Sequence, residues 1–434
     1  MKKILISTLI ALVSLTLAAQ VTREEAAADP TLTAGLLRPY PGPLQTKFTK
    51  APRGYKPFYI SHIARHGSRW YTNGVVYDRP VKIITRAVED GAATPLAAEL
   101  LPLLVELQEN ATGHVGDLSP LGFEQHRGVA DRMFRNYRRV FRGKGRKVLA
   151  ESTASTRVML SMYSFCQRLR EGNPDLDIYM DASYRIRKHV SGTSRITKKY
   201  SKGMARNAEF KAFSDSLSRP GRLMATLFTD PEYVSKAGID ARELMQDLYS
   251  LRCIAYDMPT EIRLDYLFTP DELYDLWQVT SASYYIHNGP DPAGGDSLLC
   301  KAVPILCDMI GKADEAIAGN GTAANLRFSH DAYLAPLTTT LQLEGFRGQA
   351  QTVDQMASVW ANSKASPMCV NIQMVFFRNR KGDVLVKFLH NEKECGIPIE
   401  PVKYPYYRWE DAKAFYTAAY GLDDPEKLRQ HGVE

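Results

Sequence analysis

Three features of the sequence predict an α/β fold. Short apolar runs at 58–64, 147–153 and 325–329 have the length and the branched or aromatic content of buried strands. Each is followed by a helix-compatible stretch, and each delivers polar groups where it ends: His66, Arg157 and His330-Asp331. In open α/β sheets the carboxyl ends of the strands face the crevice that binds ligands, so these groups are expected to meet there. A chain of 434 residues exceeds the usual single-domain size, which calls for one large domain with an insertion or for two domains.

The elements follow in order. Lys2 and Lys3 precede an apolar stretch over 4–18 that is too short to span a bilayer and ends in small residues around Ala18-Ala19-Gln20. This predicts a signal peptide over 1–19, an exported protein that is periplasmic or secreted, and no stable membrane insertion after cleavage. The competing reading is a short membrane anchor; no cysteine stands at the junction to accept a lipid. The Pro-, Thr- and Ala-rich segment 21–56 is expected to run extended over the surface.

The first strand ends in Arg65-His66-Gly67-Ser68-Arg69. Gly67 is expected to turn the chain there through backbone angles that other residues resist. A neutral imidazole is nucleophilic enough to attack phosphorus, and the planar forks of Arg65 and Arg69 match phosphoryl oxygens. His66 is therefore a candidate for a transient phosphohistidine. The loop from Trp70 to Gly74 supplies aromatics for a pocket wall. A helix is predicted over 95–108, and Ser119-Pro120 reads as an N-cap followed by proline at the first helical position, with Leu121, Phe123, Val129, Met133 and Val140 as a buried, purely structural face. The strand at 147–153 then leads to Arg157 at the start of a helix over 158–170, where a helix N-terminus adds to its affinity for anions.

From 181 to 320 the pattern turns helical, without strong strand alternation, and predicts an inserted helical lobe. Its basic residues Arg185, Arg187, Lys188, His189, Arg195, Lys198, Lys199 and Lys202 read either as a solvated face or as an entrance that grips additional phosphates. Arg185, Arg187, Lys188, Lys198 and Lys199 are the candidates for specificity. The third strand ends at His330-Asp331 before a helix-compatible run over 335–343. His330 suits phosphate binding, and Asp331 suits protonation of a leaving oxygen. Runs at 369–378 and 383–389 around Asn379-Arg380-Lys381-Gly382 predict a hairpin completing the sheet at one edge, and 409–420 predicts a last helix.

Arg65-His66-Gly67-Ser68-Arg69 resembles the Arg-His-Gly-x-Arg signature of the histidine phosphatase superfamily. His330-Asp331 resembles the His-Asp motif of its histidine acid phosphatase branch, which includes phytases, glucose-1-phosphatases and multiple inositol-polyphosphate phosphatases. Supporting segments occur in the family's order: 117–122, Ser155-Thr156-Arg157, Asn371-Ile372-Gln373 and Asn391-Glu392. The resemblance covers about 55–395 and implies a three-layer α/β sandwich with a central mixed sheet of the phosphoglycerate mutase type. The lobe 181–320 would be inserted into a catalytic domain made of 20–180 and 321–434. It further implies His66 as nucleophile, Asp331 as acid, Arg65, Arg69, Arg157 and His330 as phosphate clamps, and no cofactor or metal. Inositol-polyphosphate phosphatases of the multiple type commonly carry His-Ala-Glu where this chain has His330-Asp331-Ala332. Phytate or a related inositol phosphate is the expected substrate, with a sugar phosphate or a broad range of monoesters as the alternative.

Composition bounds the other classes. The formal charge of +7 becomes +5 when Lys2 and Lys3 are subtracted, and the basic residues are dispersed without a nucleic-acid module, so an anionic small molecule is the expected partner and nucleic acid is not. Six cysteines are expected to meet an oxidising compartment; Cys369 and Cys395 flank the hairpin and are the best candidate pair, whereas Cys300 and Cys307 lie too far apart on one helix. No Cys-x-x-Cys or paired-histidine spacing suggests a metal. Gly295-Asp296-Ser297-Leu298 spells a serine-esterase motif, but it sits mid-chain after a Pro/Gly loop and has no C-terminal Asp-x-x-His partner. A non-catalytic phosphate-ester binding protein would need neither His66 nor Asp331, and the exported setting favours hydrolysis over phosphoryl transfer.

Overall fold

The computed structural model describes residues 20–192, 206–292 and 298–433. The expected signal peptide therefore lies outside the described residues, as do Arg195, Lys198, Lys199 and Lys202 and most of the esterase-like motif. Among the described residues no helix is long and apolar enough to cross a membrane.

Eight strands form one mixed sheet: β1 (Lys56–Arg65), β2 (Lys147–Ser152), β3 (Asp177–Asp181), β4 (Thr322–Ser329), β5 (Asn371–Arg378), β6 (Val384–His390), β7 (Lys393–Cys395) and β8 (Tyr406–Arg408). The order is β3-β2-β4-β1-β5-β6-β7, with β8 also paired to β6. β3, β2, β4 and β1 are parallel, and β5 turns antiparallel against β1. Register places Arg65 of β1 opposite Ser329 of β4, and Ser152 of β2 opposite Phe328. The residues that follow these three strands consequently emerge level with one another at one end of the sheet.

The longer helices are α1 (Val75–Glu89), α2 (Pro95–Ala111), α3 (Pro120–Asn136), α4 (Thr156–Gly172), α5 (Ala241–Ile254), α6 (Pro270–Asn288), α7 (Leu299–Ile317), α8 (Asp331–Thr340) and α9 (Trp409–Tyr420). Alternation along the strands sends Tyr59 and Ile63 to a core shared with α6, α7, α8 and α9, and Ile60 and Ala64 to a core shared with α3 and α4. The result is helix, sheet, helix in three layers. A further apolar cluster joins Ile84 of α1, Leu100, Leu104 and Leu107 of α2, and Leu244, Leu248 and Leu251 of α5. This cluster thus joins segments both before α3 and after β3, while α7 packs in the core against β1.

Several expectations change. The hairpin forms, but β5 sits in the middle of the sheet beside β1, and β7 and β8 flank β6 beyond it. No disulfide joins any of the six cysteines, all of which lie among the described residues. Cys369 and Cys395 do not pair because β6 lies between β5 and β7 and holds their strands apart. β3 gives no buried run to read, because it is a short edge strand in which Asp181 alone is buried. In α3, Leu121 and Phe123 are half-buried, while Gln125 and His126 are buried beside Val129 and Met133. That face holds the site as well as the core.

Candidate active site

The loop after β1 is pressed against the start of α3. Gly67 does not adopt a positive φ. Its lack of a side chain serves a close approach instead: a Cβ there would lie 2.5 Å from the carbonyl oxygen of Gly122, and a Cβ on Gly122 would lie 2.2 Å from the carbonyl oxygen of Ser68. Sequence reasoning chose the right glycine for the wrong reason. The loop is fastened by Gln125, whose Oε1 accepts from the Ser68 amide at 2.9 Å and whose Nε2 donates to Ser68 Oγ at 2.7 Å. Ser68 Oγ in turn donates to buried Asp257, which belongs to the lobe. Burial pushes the Asp257 carboxyl up to about 7, against the pull of Ser68 and Arg69.

His66 is buried, and its Nδ1 lies 2.9 Å from the Gly67 carbonyl oxygen. A carbonyl only accepts, so Nδ1 carries the proton and Nε2 keeps its lone pair. Burial, and then the charges of Arg65 and Arg69, hold the imidazole well below its ordinary pKa. A shift in that direction favours the neutral imidazole. The His66 and His330 rings stand edge to face with centroids 5.6 Å apart. His330, the N-cap of α8, has Nε2 3.1 Å from Thr153 Oγ1 and is pushed down to about 4 by burial and then Arg157.

The guanidiniums converge from three elements. Arg65 Nη1 donates to the carbonyls of Leu36 at 2.7 Å and Ser366 at 2.8 Å, and its Nη2 lies 3.5 Å from Asp331 Oδ1. Arg69 Nη1 donates to the Trp70 carbonyl at 2.8 Å, and burial together with Arg65 and Arg157 pushes it down to about 10. Arg157 enters from the first turn of α4 and is lowered by burial and by Arg65. The Nε donors of all three are buried without a hydrogen-bond partner. Clustered cations with orphaned donors are costly unless an anion with several acceptor oxygens belongs among them.

Asp331 opens α8. Burial raises its carboxyl, but Arg65, a hydrogen bond from Tyr284 and Arg69 outweigh that and leave it below the usual carboxylate range. The Tyr284 hydroxyl, on α6, donates to Asp331 Oδ2 at 2.9 Å. Arg65, Arg69 and Asp331 line a cavity of about 240 Å³ with Leu36, Tyr71, Gln246 and Thr280. Another, of about 330 Å³, runs along Gln246, Thr280, Ser283, Tyr284, His287 and Asn288.

Arg65, His66, Arg69, Arg157, His330 and Asp331 therefore meet as the sequence led one to expect. The specificity candidates divide. Arg187 lines a cavity of about 230 Å³ with Thr153, His330 and Tyr333. Arg185 points outward and pairs with Asp181 at 2.8 Å, and Lys188 is exposed. Lys198 and Lys199 lie outside the described residues. His189 is not at the entrance: its Nδ1 meets Glu151 at 3.1 Å and its Nε2 meets Asp308 at 3.6 Å. Glu151, His189 and Asp308 bring one potential ligand atom each to within 4.8 Å of one another, and Asp308 is also engaged by Arg327. Of the aromatic loop, Tyr71 walls the cavity, whereas Trp70 is buried and stacks on His114 with centroids 4.5 Å apart. Sequence reasoning missed Gln125, Asp257, Gln246 and Tyr284. Gln125 alone left a signal, as a polar residue on the inward stripe of a capped helix.

No family model matches the chain, and no curated protein does. Solved structures do. The apo form of the multiple inositol polyphosphate phosphatase of Bifidobacterium longum superposes with a TM-score of 0.77 at 20% identity, over 90% of this chain and 99% of that one. Its complex with inositol hexasulfate gives 0.74 at 20%, over 89% and 98%. The phytase from D. castellii gives 0.70 at 12%, over 93% and 88%. The chain has their fold. At such identities the likeness fixes architecture, and the chemistry has to be read from the side chains.

Proposed function

We propose that this protein is a phosphomonoester hydrolase of the histidine acid phosphatase type, acting through a phosphohistidine on inositol phosphates. The observation that carries the reading is the lone pair on Nε2 of His66, held unprotonated among three guanidiniums with unused donors. A binding protein has no use for that nitrogen. Support for the substrate class comes from the similar architectures, which include a phosphatase solved with inositol hexasulfate and with phosphate, and a phytase.

The residues divide the reaction. His66 Nε2 attacks phosphorus, forming the N–P bond as the P–O bond to the alcohol breaks. Arg65, Arg69, Arg157 and His330 hold the non-bridging oxygens and stabilise their charge in the transition state. Asp331 gives its proton to the departing oxygen. The resulting carboxylate takes a proton from water, whose oxygen attacks phosphorus and breaks the N–P bond, releasing phosphate and restoring His66. Asp331 is ionised at neutral pH when the arginines face it alone; a phosphate dianion among them cancels their pull and raises its proton affinity. An acidic to near-neutral optimum follows. Export to the periplasm or medium is part of the same proposal and rests on the leader-like 1–19.

The test measures phosphate release from phytate, glucose-1-phosphate and an aryl phosphate, with mass spectrometry of acid-free quenched enzyme for phosphoryl on His66. Phytate turnover with label on His66 is expected. Turnover of glucose-1-phosphate with phytate untouched would remove the inositol phosphate assignment, and release from none of the three would remove the enzyme.

A further inference from the structure

The proposed acid, Asp331, has two oxygens with different surroundings. Oδ1 lies 3.5 Å from Nη2 of Arg65, one of the three clustered guanidiniums. Oδ2 accepts the Tyr284 hydroxyl at 2.9 Å. Tyr284 is itself fixed, because its ring stacks on buried Trp360 with centroids 6.2 Å apart and planes 16° from parallel. The phenol therefore has a set direction, and it comes from α6, which also lines the cavities beside the acid.

We infer that Tyr284 is the positioning residue of the leaving-group acid: by occupying Oδ2 it fixes the carboxyl rotamer and leaves Oδ1 as the oxygen that carries the proton to the departing alcohol. The inference rests on the assignment of Asp331 as acid. A donor to a carboxylate favours the ionised form, so Tyr284 also limits how far up in pH Asp331 stays protonated. Burial keeps the phenol protonated across the working range, so it acts as a donor throughout. The other groups facing Asp331 are Arg65 from β1, Arg69 from the loop, Arg157 from α4, Lys301 from α7, and its neighbours His330 and Tyr333. None of them reaches Oδ2 in place of the phenol at hydrogen-bond distance among the described contacts, and all are retained when the hydroxyl alone is removed.

The experiment is the pH dependence of kcat for Tyr284→Phe on an alkyl phosphate such as phytate or glucose-1-phosphate, and on an aryl phosphate whose phenolate leaves unaided. Phenylalanine keeps the stack on Trp360. The alkaline limb for the alkyl ester should move up by about one pH unit, the order expected for losing a hydrogen bond to a charged group. At the optimum kcat should fall about ten-fold, because the carboxyl is no longer aimed. The aryl ester should show neither change. Superimposable profiles, or an equal loss on both esters without a shift, would overturn the assignment and leave Tyr284 a packing residue. A double-mutant cycle makes the result independent of general damage: on Asp331→Asn the further change Tyr284→Phe should have no effect, and a full additional loss there would also overturn it. The parent reading fails separately, if Asp331→Asn alone turns over the alkyl ester at the unmodified rate.

Discussion

In the proposed mechanism the site has a phosphate side and a leaving-group side, and the two are built by different means. The phosphate side is delivered by the sheet: β1 and β4 end level, α4 starts beside them, and Arg65, His66, Arg69, Arg157 and His330 are placed by backbone register and by carbonyls and hydroxyls that hold them. The leaving-group side is assembled from 34–37 together with α5 and α6, with Gln246, Thr280, Ser283, Tyr284 and His287 as its side chains. Buried cations with unused donors need a rigid frame, since any relaxation would pair them with one another's carbonyls and forfeit the anion site. A wall that meets the leaving alcohol tolerates variation, because hydrogen bonds of ordinary strength adapt to the ligand. The chemistry should therefore be insensitive to substrate on the first side and sensitive to it on the second.

The strongest way to break this contrast is His66→Ala. It removes the nucleophile shared by every substrate, and kcat should drop by on the order of 10⁴-fold or more on phytate, glucose-1-phosphate and an aryl phosphate alike. Substantial residual turnover of the aryl ester, measured by phenol release, would show that another group attacks phosphorus.

Next in size is Asp331→Asn, where the loss should depend on the leaving group. A reduction of about 10²- to 10⁴-fold is expected on alkyl esters, the usual worth of general-acid catalysis, and a far smaller one on the aryl ester. A uniform loss on both would place Asp331 among the phosphate clamps rather than opposite them.

The same division governs how much could be read in the sequence. Most of the phosphate side was legible because His66, Arg157 and His330 lie within two positions of a strand end or helix start, where local pattern and motif coincide, as does Asp331 opposite them. Three of the four parallel strands, β1, β2 and β4, followed from the same runs. What escaped was set by tertiary packing. Tyr284 sits in an ordinary helical stretch, and nothing near it in sequence reveals a partner 47 residues away. Asp257 meets Ser68 across 189 residues. The lack of disulfides among the six cysteines, β3, and the sharing of one core by α1, α2 and α5 likewise depend on which surfaces meet.

A thermodynamic consequence separates the two sides as well. His66 is held well below its ordinary pKa, His62 and His126 are pushed down to about 3, and His330 to about 4, in each case mainly by burial; His390, farther along the sheet, also falls to about 4. In the unfolded chain each takes up a proton near pH 6.5, whereas the folded protein keeps it neutral. Their contribution is thus present above pH 6.5 and is lost as pH falls, down to about 4 for His330 and His390 and about 3 for His62 and His126. His189 runs the other way, because Glu151 raises it, and its contribution is present below pH 6.5. Denaturant titrations at pH 7, 5 and 4 should show stability falling steeply, so that activity on the acid side is cut off by unfolding. A flat profile would show that these imidazoles are hydrated in solution.

The smallest effect is expected at the entrance, and it tests whether position or mere charge matters there. Arg187 lies beside His330 in a cavity; its guanidinium rests over the Tyr184 ring at 5.2 Å, and Nη1 donates to the Tyr184 hydroxyl at 2.9 Å. Arg185, two residues earlier, has a side chain 76% exposed and spent on Asp181. Both carry the same charge, so a long-range field would treat them alike. A contact would not. Arg187→Ala should raise KM for phytate about three- to ten-fold at low salt, shrinking in 0.5 M salt as screening removes a partly exposed charge contact, with kcat on the aryl phosphate unchanged. Arg185→Ala should leave both constants within error. Equal increases in KM for the two variants would mean that this entrance attracts polyanions through its summed charge rather than by fit.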